Sequence, residues 1–175
     1  MPFTKLCDKA KRWRNRLKNA DVKVILNEYL REMAVSNWPM DQWLLLDSIM
    51  YELSLCSHKS NLCQWYHELL KALCEVDPVA PIPLFFLRHY ADYSLSAFFS
   101  SVLQIVPPYD SKLASNTHAG KSFHLNPSIH CVLHERINQV HLKLNSDPSD
   151  FTVGGEALDL SLFSKAEALL RKLNV

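Results

Sequence analysis

The sequence predicts an all-α fold: a single helical domain over residues 1–175, a bundle of about seven helices. Three observations carry that expectation. Apolar residues recur at helical spacing in one segment after another. Prolines and polar turn clusters separate those segments at lengths suited to helices. Glycine, at 3 of 175 residues, is too scarce for a sandwich or barrel built on many tight turns, or for a glycine-rich phosphate loop.

The first segment, 4–19, carries Leu6, Ala10, Trp13 and Leu17 on one helical face and basic residues elsewhere. A break at Asn19-Ala20-Asp21, with Asp21 as a cap, leads into 22–35, where Val22, Ile25, Leu26, Tyr29, Leu30 and Met33 repeat the period. Ser36-Asn37-Trp38-Pro39 is a turn, since the residue before a proline is driven out of helical geometry. Pro39 suits the first turn of the next helix, 40–56, which is strongly apolar with Asp47 and Glu52 as polar outlets. Ser57–Ser60 connects it to a helix over 61–76, and Asp77–Pro83 is a proline-punctuated crossing.

Leu84–Val106 is expected to be the central helix that the others surround. Prolines flank it on both sides, Arg88 and Asp92 are its only charges, and apolar residues fill most of its circumference, as in a helix buried in its domain. A membrane span is disfavoured, because Ser94, Ser96, Ser100, Ser101 and Gln104 interrupt a short uncharged run. Residues 107–126 read as a long loop, and Asn126-Pro127 opens a helix to Leu144. The Gly154-Gly155 pair suggests a small β-hairpin near 151–160, and an amphipathic helix over 160–173 follows. A buried helix wrapped by amphipathic ones is similar to the plan of the Bcl-2 group, although that group's Asn-Trp-Gly-Arg stretch has no counterpart in Asn37-Trp38-Pro39-Met40.

Charge is unevenly placed. Residues 1–18 hold seven Lys/Arg and one Asp, a net of +6, while the rest of the chain carries −5 against a total of +1. Lys5, Lys9, Lys11, Arg12, Arg14, Arg16 and Lys18, with Trp13 among them, are therefore candidates for binding nucleic acid or a protein partner. Such an arm attracts phosphates by counterion release, and an aromatic ring can stack on a base. The same residues could also form a solvated face, an import signal or a contact with an anionic membrane surface, the last being the least expected.

Five cysteines, an odd number, and no apolar core segment in residues 1–20 point to reduced thiols and a cytoplasmic or nuclear setting. Cys63 and His67, then His130 and His134, are i, i+4 pairs that could supply zinc ligands from two helices. No cysteine knuckle spacing accompanies them, so no cofactor is expected and packing explains them better. Arg136 and His141 form an R-x4-H spacing. It resembles the short signature of the helical HEPN ribonuclease superfamily, which implies an Arg and a His cleaving RNA across a dimer. No Ser/His/Asp set or phosphate loop is present in recognisable context, so a non-enzymatic role is the leading expectation. The function expected first is a helical protein–protein interaction module, an adaptor or regulator with a basic N-terminal helix for docking. An RNA-binding protein using that helix comes second and a HEPN-like ribonuclease third.

Overall fold

A computed structural model describes residues 40–55, 59–79, 81–105, 125–147, 152–153 and 156–173. The helices expected over 4–19 and 22–35 lie outside the described residues, as does the loop 107–126 apart from Leu125 and Asn126. The described chain is all-α in character, with six helices and one two-residue ladder. It divides into two compact units, Met1–Asp77 and Pro78–Val175. Among the described residues no helix is long and apolar enough to cross a membrane.

The first unit contains α1, Met40–Ser54, and α2, Lys59–Val76, packed against each other. Trp43, Leu46, Ile49 and Met50 bury one face of α1. Leu62, Tyr66, Leu69 and Leu70 recur at i, i+4, i+7, i+8 and bury the matching stripe of α2.

The second unit contains α3, Leu84–Tyr93, α4, Leu95–Ile105, α5, Pro127–Ser146, and α6, Leu160–Leu173. Here α3 packs on α5, α4 on α6, and α5 on α6. The single central helix expected over 84–106 is instead two helices broken at Ser94, whose backbone is extended at φ −155°, ψ 106°. Ser94 closes the first helix by donating its N–H to Tyr90 O at 2.9 Å. It opens the second through its own carbonyl, which accepts from Phe98 N, and its Oγ, which accepts from Ala97 N at 3.2 Å. A serine that serves as an N-cap satisfies an orphan N–H that a continuous helix would not expose, so the short polar side chain competes with helical continuity.

Tyr90 fastens the break. Its hydroxyl donates to Ala97 O at 3.0 Å and lies 2.6 Å from Ser101 Oγ, which donates in turn. The Tyr90 ring meets Phe98 edge-on at 5.9 Å. Two of the serines that interrupt this apolar stretch are thus satisfied inside the core, Ser94 by Ala97 N and Ser101 by Tyr90, and both are buried.

Asn126 caps α5, its Oδ1 accepting from Ser128 N at 3.0 Å and Ile129 N at 3.3 Å, with Pro127 in the first turn. Its amide also donates to Pro78 O, while Ser128 Oγ accepts from Ile82 N at 3.1 Å. The proline-rich crossing is thereby tied to the start of α5. Thr152–Val153 and Glu156–Ala157, β1 and β2, pair antiparallel within the 151–160 stretch. Asp159 then caps α6 through Oδ1, which accepts from Ser161 N and Leu162 N.

Candidate functional site

Helix α1 is apolar on two opposite faces. Trp43, Leu46, Ile49 and Met50 form the buried one, each 4% exposed or less. Met40, Leu44 and Tyr51, with Leu55 directly after the helix, are 56%, 39%, 63% and 65% exposed. At about 100° per residue these four fall within about 60° of arc, so they make one stripe rather than scattered outliers. A contiguous apolar helix face that is exposed among the described residues is a candidate interaction surface.

Two hydroxyls beside the stripe are satisfied within the helix. Ser48 Oγ donates to Leu44 O at 2.9 Å and Ser54 Oγ donates to Tyr51 O. Their hydroxyls do not require water, so covering the stripe strands no donor there.

The sequence-derived candidates fall elsewhere. Lys5, Lys9, Lys11, Arg12, Trp13, Arg14, Arg16 and Lys18 lie outside the described residues. Arg136 and His141, both on α5, face different neighbours. Arg136 has a side chain 14% exposed, bonds Asp92 of α3 through Nη1 at 2.8 Å and also donates to Gln139. His141 Nε2 lies 2.5 Å from Glu167 Oε2 of α6, with its ring edge-on to Phe163 at 5.3 Å. Five residues are about 140° of helix turn, so the two side chains are not brought together. Each is engaged with a carboxylate, and Glu167 also holds Arg171.

Cys63 and His67 sit half-buried on the flank of α2's core stripe. Burial lowers the His67 pKa below 6.5, with Glu68 opposing that shift and Lys71 adding to it. Cys74, two further turns along, is a thiol pushed up to about 11 by burial and by Asp77. On α5, His130 is half-buried, while Cys131 and His134 are exposed. His134 Nδ1 lies 3.5 Å from Asn138 Nδ2. Among the described residues no group of three or more His, Cys, Asp or Glu side chains could hold a metal ion.

Between α3 and α5, Arg88 grips Glu135, and Arg136 approaches the same carboxylate at 3.9 Å. The hydrogen bond from Arg88 holds the Glu135 carboxyl below its ordinary range, and Glu135 raises the already high pKa of Arg88. Arg136 Nε is buried with no hydrogen-bond partner. The cluster joins α3 to α5.

By residue type, Trp38, Trp43, Trp65, Tyr66 and Phe123 are candidates to anchor either a core or an interface. Trp43 and Tyr66 are core, whereas the exposed aromatic of α1 is Tyr51, which is not among them. A usable signal was present: apolar residues stand on two sides of this helix, and α2, its one described neighbour, covers one of them. Comparison of the chain with models of known families, with curated proteins and with solved structures finds no match.

Proposed function

We propose that this chain is a non-enzymatic helical interaction module, an adaptor or regulator that engages protein partners in the cytoplasm or nucleus. The observation that carries the reading is the exposed stripe Met40, Leu44, Tyr51 and Leu55 on α1. Tyrosine is enriched among interface anchors, since it offers a large contact area with few rotatable bonds. The test is affinity capture on wild-type chain and on Tyr51→Glu, compared by quantitative mass spectrometry. Partners that are lost with Tyr51→Glu, while its melting curve stays that of wild type, support the reading. Partner sets that do not change remove it.

A second reading, RNA binding through Lys5–Lys18, is favoured by the +6 charge of residues 1–18. Anisotropy with labelled RNA from about 50 to 200 mM salt tests it, since neutralising several phosphates makes affinity fall steeply across that range. Binding that survives deletion of residues 1–19 would overturn it. The HEPN-like reading stands behind both. Arg136 and His141 would have to leave Asp92 and Glu167 before they could act together.

A further inference from the structure

We draw no further inference here: the strongest candidate, the exposed apolar stripe Met40, Leu44, Tyr51 and Leu55 on α1, belongs to the surface already described, and nothing in the structure shows what covers it.

Discussion

Arg88 holds Glu135 with two hydrogen bonds, Nε to Oε1 at 3.2 Å and Nη2 to Oε2 at 2.9 Å, and so joins α3 to α5 forty-seven residues along the chain. A bidentate guanidinium–carboxylate pair fixes orientation as well as distance. It orients the two helices about Phe86 and Leu87 on one side and Ile129 and Val132 on the other, all fully buried. The side chains are 43% and 29% exposed, so water screens the pair and its stabilisation is small.

The pH dependence of that pair has a definite sign. Glu135 has its folded pKa lowered, first by the Arg88 hydrogen bond. Its contribution is therefore present above the unfolded carboxyl pKa of about 4.3 and is lost as pH falls through the lower folded value. Thermal melts of wild type and Glu135→Gln should differ by a few degrees at most at pH 7 and converge as the pH drops below about 4. A difference that widens in acid would contradict the assignment.

Ser94 is expected to act as a cap rather than as a helix-interior residue. Ser94→Ala removes the acceptor for Ala97 N at a buried position. It should lower unfolding stability by about 1 kcal/mol in a urea titration, the usual cost of losing a side-chain N-cap. Alanine is the better helix former, so an uncapped continuous helix would instead gain stability from the same change.

His67 makes the first unit sensitive to mild acid. Burial lowers its folded pKa, so the proton binds the unfolded chain more tightly. Stability is then full above about pH 6.5 and is lost as pH falls from there through the folded value. Hydrogen exchange of α2 amides at pH 7.5 and at pH 5.5, corrected for the intrinsic rate, should show loss of protection at the lower pH. His67→Gln should reduce that loss. An equal loss in the variant would assign the effect to another group.

Cys74 and Cys131 should react at different rates. Burial and Asp77 push the Cys74 thiol up to about 11, which leaves on the order of one molecule in a thousand as thiolate at pH 8. Cys131 is exposed on α5. Iodoacetamide labelling mapped by mass spectrometry should mark Cys131 well before Cys74. Equal rates would mean that the α2 site opens faster than the reagent attacks.

The sequence alone determined the helical class and the ends of several helices, because those depend on neighbours within a few residues. Asn126-Pro127 reads as a cap and first turn from the chain itself, and Leu62, Tyr66, Leu69 and Leu70 announce a buried face by their spacing. The break at Ser94 was written in the same local code. It was masked by the apolar run around it, because a buried helix and two packed half-helices have the same composition. Only the tertiary structure showed Tyr90 reaching Ala97 O and Ser101 Oγ across the break. It alone separated Arg136, turned to Asp92, from His141, turned to Glu167, which a short linear motif had placed together. It also decided which face of α1 is core. Both faces are apolar in the sequence, and hydrophobic attraction has no direction, so the choice belongs to the helices that α1 packs against and not to α1.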